Sequence, residues 1–442
     1  MKCFLCLLSL VLALCAGAAH AQDLTAAPSD APWYSLHFQT TAVEQGHPSF
    51  SSPMGNGPNS MKARGQSDET TDMTLFAGVK WGDLELYANP EMDQGYGVSN
   101  TLGVAGFPSG EAYKVGEREP YFRMQRLFGR YVYDLGGEMQ SVEDGPNQIA
   151  GAHTANNLTF TFGKFSVVDL FDTNKYAHDP RVDFLNWSMI DMGAFDYAAD
   201  AWGYTYGGAV EWTQAHTTLR AGLFDLSRVP NDKYLATDFG EYQILVEAEE
   251  RHKLFDRDGT LKALFFLNGA RMGSYSDALS LATRTGALPD TSLVRHFKTR
   301  MGGGLNAEQS LTEDLGAFLR ASLNDGTQES YEFTEVNRSL SGGVSLKGTL
   351  WNRGDDTVGL GGAWNGISGD PRRYFAAGGL GILIGDGQLP SYVGEEILEA
   401  YYRAALCAGV SLTGDYQHIA NPAYNALRGP IDFFALRAHL EF

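Results

Sequence analysis

The feature that most constrains this chain is an alternation of apolar and polar side chains with a period of two. Counting back from Phe442 in steps of two gives Leu440, Ala438, Leu436 and Phe434, all apolar. The residues between them are mostly polar or charged. A period of two places successive side chains on opposite faces of a β-strand. The end of the chain is therefore predicted to form an amphipathic strand.

The aromatic residue that closes this strand favours a membrane setting. A soluble sheet could carry the same alternation, but its terminal carboxylate would then follow an aromatic residue packed in a core. An outer-membrane barrel that ends in Phe presents this residue to the barrel assembly machinery. We therefore expect that machinery to recognise Phe442.

The beginning of the chain is typical of an exported protein. Lys2 precedes an apolar run from Cys3 to Cys15, and the small-residue pattern Ala19-His20-Ala21 follows it. These are the charged, apolar and cleavage regions of a secretory signal peptide. We predict a signal peptide over residues 1–21 and a single transmembrane β-barrel domain over residues 22–442.

Charge and hydropathy narrow the class of protein further. The formal net charge is -20, and removal of Lys2 with the signal peptide makes it more negative, which excludes a nucleic-acid partner. After the signal peptide no stretch approaches the roughly 18 apolar residues of a membrane-spanning helix. Only helices and closed barrels satisfy their backbone groups in lipid. An exported chain with 43% hydrophobic residues and 52 glycines is thus predicted to be an outer-membrane barrel, with a large periplasmic all-β protein as the alternative.

The alternation divides the chain into about sixteen strands, an even number that closes a barrel with both ends on the periplasmic side. The predicted fold is an all-β, transmembrane antiparallel β-barrel with long extracellular loops and short periplasmic turns. A turn is expected at Asp134-Leu135-Gly136-Gly137, and the longest irregular stretch is Lys164–Asp200. The predicted strands before the terminal one are Trp33–Ala42, Thr71–Lys80, Leu84–Asn89, Tyr121–Tyr133, Asn157–Gly163, Gly203–Trp212, Thr218–Leu226, Tyr242–Ala248, Leu261–Leu267, Val294–Gln309, Leu315–Ser322, Val336–Leu350, Thr357–Trp364, Ile397–Ser411 and Asp415–Ile419.

Several long motifs resemble one family of barrels. They are GKFSVVDLFDTNKYAHDPRVDFLNW at Gly163–Trp187, GAFDYAADAWGYTYG at Gly193–Gly207, SFSSPMGNGPNSM at Ser49–Met61, NPEMDQGYG at Asn89–Gly97 and DYQHIANPAYN at Asp415–Asn425. In this order they are similar to the carbohydrate-selective porins of Gram-negative outer membranes, the OprB family. The resemblance implies a sixteen-stranded channel for the uptake of glucose-like sugars in contact with outer-membrane lipid and lipopolysaccharide. A homo-oligomer is compatible with it.

The stretch Lys164–Asp200 is unusually rich in aromatic and acidic residues for a loop in water. We expect part of it to fold into the lumen and narrow the pore, with aromatic rings beside the C–H surfaces of a sugar and carboxylates or amides on its hydroxyl groups. The alternative is that these aromatics pack the loop against the barrel wall. The candidate sugar-binding residues are Asp172, Asn174, Tyr176, Asp183 and Trp187.

The alternation also predicts which charged side chains point into the lumen. Opposed cations and acids would order the water in the channel, and guanidinium groups would donate paired hydrogen bonds. For each arginine the alternative is an ion pair that only satisfies a polar lumen. The candidate pore-lining residues are Arg126, Arg130, Arg220, Glu247, Arg320, Arg403 and Arg437.

Little in the sequence indicates an enzyme. His37, His296, His418 and His439 are scattered, and none forms an evident partnership with a nucleophile. No cofactor and no metal is expected, since neither a phosphate-binding glycine loop nor a cluster of His or Cys ligands is present. Two functions stay open, a sugar-selective channel and a channel for small anionic or carboxylate solutes that uses the inward arginines. A barrel hydrolase is a more distant third.

Overall fold

The computed structural model describes residues 32–112 and 114–442, so the predicted signal peptide lies outside the described residues. Sixteen strands make up about half of the described residues. They are β1 Tyr34–His47, β2 Gln66–Trp81, β3 Leu84–Gly95, β4 Glu117–Val142, β5 Gly151–Phe165, β6 Thr205–Gln214, β7 Thr217–Asp225, β8 Tyr242–Leu254, β9 Arg257–Met272, β10 His296–Ser310, β11 Leu315–Asn324, β12 Arg338–Gly348, β13 Arg353–Gly366, β14 Glu395–Cys407, β15 Val410–Ala420 and β16 Ile431–Glu441.

Each strand pairs with its neighbours in sequence, and the first pairs with the last, which closes the sheet into a barrel. The closing pair is antiparallel and aligns Gln39 with Glu441 and Gly46 with Phe434. Beyond β16, Phe442 donates a hydrogen bond from its N–H to the carbonyl of Phe38 at 2.9 Å. The predicted antiparallel barrel of sixteen strands is confirmed.

The two faces of the wall differ in the way that the alternation predicts. Leu219 and Leu319 point outward and are 41% and 53% exposed, whereas the adjacent Arg320 points inward and is 1% exposed. Outward apolar side chains can meet lipid, and inward polar ones line the lumen. No helix in the described part of the chain is long and apolar enough to cross a membrane.

The connections are long at one end of the barrel, the long-loop end, and mostly short at the other, the short-turn end. Three helices lie in the long loops: α1 Trp187–Ile190, α2 Tyr275–Thr285 and α3 Gly369–Ala376. The long loops are 48–65, 96–116, 166–204, 226–241, 273–295, 325–337, 367–394 and 421–430, and the opposite connections are 82–83, 143–150, 215–216, 255–256, 311–314, 349–352 and 408–409.

One predicted turn is wrong. The chain does not turn at Gly136-Gly137, because β4 continues to Val142 and pairs with β5 over that distance. The register shifts around Gly136, and both glycines have φ near +100°. Such a conformation is accessible to glycine in a bulge, where an extra residue is inserted and pairing then resumes.

Candidate functional site

The connection 166–204, here called the inner loop, runs through the barrel lumen. Its backbone and side chains bond to inward-facing groups of strands on different sides of the wall, among them Arg126 of β4 and Arg320 of β11. Residues 184–202 are all buried, whereas most of residues 168–183 keep some exposure. The first half of the inner loop is therefore the half that borders open space.

Arg320 and Arg437 hold the inner loop by its carbonyl groups. The guanidinium of Arg320 donates to the carbonyl of Ala177 at 2.8 Å and to that of Met189 at 2.7 Å. Arg437 donates to the carbonyls of Pro180 and Asp183. Both arginines are about 1% exposed. Their guanidinium groups therefore bind the inner loop and are not available to a solute in the lumen.

Asp172 is the matching anchor on the loop. Its carboxylate accepts from Arg320 Nε at 3.0 Å, from Asn306 Nδ2 at 2.6 Å and from the N–H of Met192 at 2.7 Å. The N–H of Asp172 donates to Glu247 at 2.9 Å, and Asn174 Nδ2 donates to Asn306 at 2.7 Å. These predicted sugar-binding groups are engaged by other protein groups.

Arg220 lies in a dense ion-pair cluster on β6–β8. Its guanidinium is 2.7 Å from Glu211, 2.9 Å from Glu247 and 2.7 Å from Glu249. Three carboxylates neutralise more than one cation, and Lys262 and Arg251 lie against the same acids. The cluster satisfies polar groups on this wall.

Trp187 lies at the start of α1 between two rings from other long loops. Its ring stacks on Phe107 with centroids 4.8 Å apart and on Phe333 with centroids 4.7 Å apart. Both contacts are nearly parallel, at 22° and 26°, and the side chain is 5% exposed. No broad face of this ring is open to a solute, so the aromatic second half of the inner loop packs as a core.

Two glutamates of β14 complete the anchoring. Glu399 accepts from the N–H groups of Leu185 and Asn186, and Glu395 accepts from the N–H of Gly106 at 2.7 Å. Neither glutamate is among the predicted pore-lining residues, and Glu395 also precedes Ile397, at which the predicted strand begins. The inward parity that Glu395 shares with Glu399 was the available signal.

A second group of charges borders the exposed half of the inner loop on β4 and β5. Arg126 makes a two-pronged ion pair with Asp169, with distances of 2.7 and 2.6 Å, and its guanidinium lies 4.9 Å from the centre of the Tyr204 ring. Arg123 and Lys164 both contact Asp200, at 3.1 and 3.3 Å. Of these cations only Arg126 was predicted, because a bulge at the buried Gln125 interrupts the alternation of β4.

Arg130 lies at the short-turn end, where the turn 143–150 folds into the barrel. Its guanidinium donates to the carbonyl of Asn147 at 2.9 Å and lies 5.4 Å from the centre of the Tyr87 ring. Asn147 accepts a hydrogen bond from Asn89 at 2.9 Å, and Ile149 is 2% exposed. This turn narrows the short-turn end of the barrel on the β3–β4 side.

Tyr176, Asp183 and Arg403 line one cavity of about 230 Å³ at the short-turn end, beneath the inner loop. Burial, together with the nearby Asp179, raises the pKa of the Asp183 carboxyl to about 6. The twelve predicted residues thus separate into loop anchors, the Arg220 cluster, the Arg126 pair, the Arg130 contact, the stacked Trp187 and this cavity. Within the described residues no group of three or more His, Cys, Asp or Glu side chains is placed to hold a metal ion.

Solved structures share this architecture. The structure is similar to that of OprB from Pseudomonas putida, with 15% identity, a TM-score of 0.68, and coverage of 92% of this chain and 94% of that chain. The outer membrane channel DcaP of Acinetobacter baumannii is 11% identical, with a TM-score of 0.51 and coverage of 92% and 97%. At such identities the likeness concerns the fold alone. No curated protein is significantly similar in sequence.

The sequence itself carries the family assignment. The profile described as "Carbohydrate-selective porin, OprB family" matches residues 59–442, which include all strands from β2 to β16. The match covers most of the chain, including the inner loop and the residues that anchor it. The chain therefore belongs to the OprB family of carbohydrate-selective porins.

Proposed function

We propose that this outer-membrane porin passes small neutral carbohydrates of monosaccharide size, glucose-like in the first instance, by passive diffusion. The observation that carries the proposal is the Arg126–Asp169 pair, where Arg126 of β4 meets the exposed half of the inner loop. The Arg126 and Asp169 side chains are 15% and 29% exposed. Donors and acceptors at one place, with the charges paired, suit hydroxyl groups better than ions.

The inward arginines are already paired within the protein, which argues against the alternative, a channel for anionic or carboxylate solutes. Such a channel needs cations whose charge is available in the lumen. Arg220 is bonded to three glutamates, and Arg320 and Arg437 are bonded to the inner loop. An anion would have to displace carboxylates or carbonyl groups that already occupy these arginines.

The expected affinity is low, as a channel requires. A hydrogen bond between a sugar hydroxyl and the wall contributes about 1 kcal/mol, because water competes for the same groups. A few such bonds give about -4 kcal/mol, which is a millimolar dissociation constant. A site of this strength admits a solute and releases it.

Current block in planar bilayers tests the proposal. Millimolar glucose should reduce the single-channel current of the wild type, and gluconate should do so less. Arg126→Gln should weaken the glucose block by roughly three- to tenfold, which corresponds to the loss of about one hydrogen bond. Arg338→Gln, which removes one cation from an exposed outward position of β12, is the matched control. Block by gluconate without block by glucose would favour the anion channel instead.

A further inference from the structure

The cavity at the short-turn end lies apart from the Arg126 pair. Its volume is about 230 Å³, and since a water molecule occupies about 30 Å³ of liquid, it holds the space of roughly eight waters, comparable to one sugar ring. The inner loop forms one side of it and strands β10–β14 the other. The wall residues are Ser310, Leu315, Gly316, Ser345, Lys347, Thr357 and Arg403, with Thr312, Glu313 and Asp314 from the adjoining turn.

Tyr176 provides an aromatic surface in this cavity. Its ring lies so close to β11 at Gly316 that a Cβ atom there would be 2.0 Å from ring Cε1. The Tyr176 ring can lie this close to β11 because residue 316 is a glycine and has no side chain. The Tyr176 side chain remains partly exposed, so it borders the cavity as well as the wall. Aromatic rings of this kind accept the apolar face of a ligand while polar neighbours orient it.

Polar groups with spare hydrogen-bonding capacity border the same space. Arg403 donates to Thr357 Oγ1 at 3.5 Å, while its Nε has no hydrogen-bond partner among the described residues. Asp183 accepts from the N–H groups of His178 and Asp179, both on Oδ2, and its Oδ1 accepts no hydrogen bond from the described residues. Buried polar groups without protein partners normally bond to water or to a ligand.

The charges around the cavity balance. Lys175, Lys347 and Arg403 face three acids, Asp183, Glu313 and Asp314, among its lining residues. A balanced set of charges offers donors and acceptors without a net field that would favour an ion of either sign. The chemistry therefore fits a neutral, polyhydroxylated solute.

We propose that this cavity is a second binding site of the channel, at its short-turn end, for one neutral sugar ring. The inference rests on the proposed function, because the sugar must first pass the inner loop. Tyr176 packs against the ring, Arg403 donates to a hydroxyl group, and Asp183 accepts from another. A solute that leaves the narrow part of the lumen is held here before release.

The half-blocking concentration of glucose, measured in planar bilayers, tests the site. Tyr176→Ala and Arg403→Gln should each raise it roughly three- to tenfold, the effect of losing an aromatic contact or a charge-assisted hydrogen bond. Tyr176→Phe keeps the ring and should match the wild type. Lys80→Gln removes a cation at the same end of the barrel, on β2 outside this cavity, and should also match. Each variant is first shown to be folded by its heat-modifiable mobility in gels.

The outcomes separate this site from the proposed function. If glucose blocks the wild type and both Tyr176→Ala and Arg403→Gln equally well, the second site is wrong and the sugar channel stands. If glucose does not block the wild type, the proposed function itself fails. If gluconate blocks the wild type better than glucose and Arg403→Gln removes that block, the cavity binds anions and the neutral-sugar assignment is overturned. Weaker glucose block in both variants, with Tyr176→Phe and Lys80→Gln unchanged, supports the site.

Discussion

Single buried charges decide where the inner loop lies. Asp172 has no exposed surface, and its carboxylate is 3.0 Å from the guanidinium of Arg320, itself almost fully buried. An isolated charge in such a place is strongly unfavourable, so each member of the pair needs the other. The loop cannot leave the lumen without exposing one of them or leaving it unpaired.

Arg320→Gln should therefore loosen the inner loop and destabilise the barrel. Loss of one partner of a buried pair costs about 3–5 kcal/mol, because the remaining Asp172 charge is left uncompensated. We expect a lower temperature for the mobility shift in gels and a larger, noisier single-channel conductance. Arg338→Gln, at an exposed outward position, is the control that changes the net charge equally. Unchanged conductance and unchanged heat stability in Arg320→Gln would contradict the anchoring role.

Asp183 should make stability depend on pH. Burial raises its pKa from 3.8 to about 6, so the folded protein binds this proton more tightly than the unfolded chain does. The stabilisation is complete below about pH 4 and is lost as the pH rises through about 6. Asp183→Asn lacks this titration. The variant should therefore gain heat stability relative to the wild type between pH 4 and pH 7, and parallel curves for the two proteins would contradict the assignment.

The sequence predicts the direction of these side chains but not their partners. The period of two places Arg320 and Arg437 in the lumen because it depends only on neighbouring residues. Arg320 meets Asp172 across 148 positions of sequence, and no local pattern encodes that meeting. For the same reason Trp187 was predicted as an open surface for sugar, whereas Phe107 and Phe333 stack on it from other loops.

Among the elements, the strands were more predictable than the connections. Each strand shows its alternation within about ten residues, and each predicted strand overlaps an observed one. The predicted strand Ile397–Ser411 is too long, because the chain turns at residues 408–409 and β15 already begins at Val410. The connection between β4 and β5 was misplaced because a glycine pair marks either a turn or a bulge. What distinguishes the two is whether pairing resumes beyond Gly137, which depends on residues 151–156 of the partner strand.

The turn 143–150 offers a test at this scale. Its Asn147 bonds to Arg130 and Asn89 inside the barrel, so the turn occupies part of the lumen. Replacement of residues 143–150 by a two-residue Asn-Gly turn should raise the single-channel conductance, because the cross-section at the short-turn end increases. Glucose block should persist, since the turn bonds to Arg130, Asn89 and His37 of the wall and not to Arg126 or Tyr176. An unchanged conductance would show that the turn does not limit ion flow.

The whole molecule combines a closed wall with a lumen that is partly filled by the long loops. The pairing of β1 with β16 leaves no free strand edge, which a chain in lipid requires. Polar side chains that point into a wide lumen need water or protein groups as hydrogen-bond partners. The long loops provide such partners, because they form hydrogen bonds with Arg320, Arg437, Glu395 and Glu399. The Arg126–Asp169 pair and the cavity beside Arg403 keep partial exposure to the lumen.

The inner loop also has a mechanical consequence. A ring of strands in which each is joined only to its two neighbours resists stretching but can flatten sideways. The inner loop is fastened to β4 through Asp169, to β11 through Asp172 and to β16 through the carbonyl of Asp183, so it acts as a strut across the ring. We expect the opening to keep its shape when the surrounding lipid squeezes the wall, so that the size limit for solutes is fixed by the protein and not by the membrane.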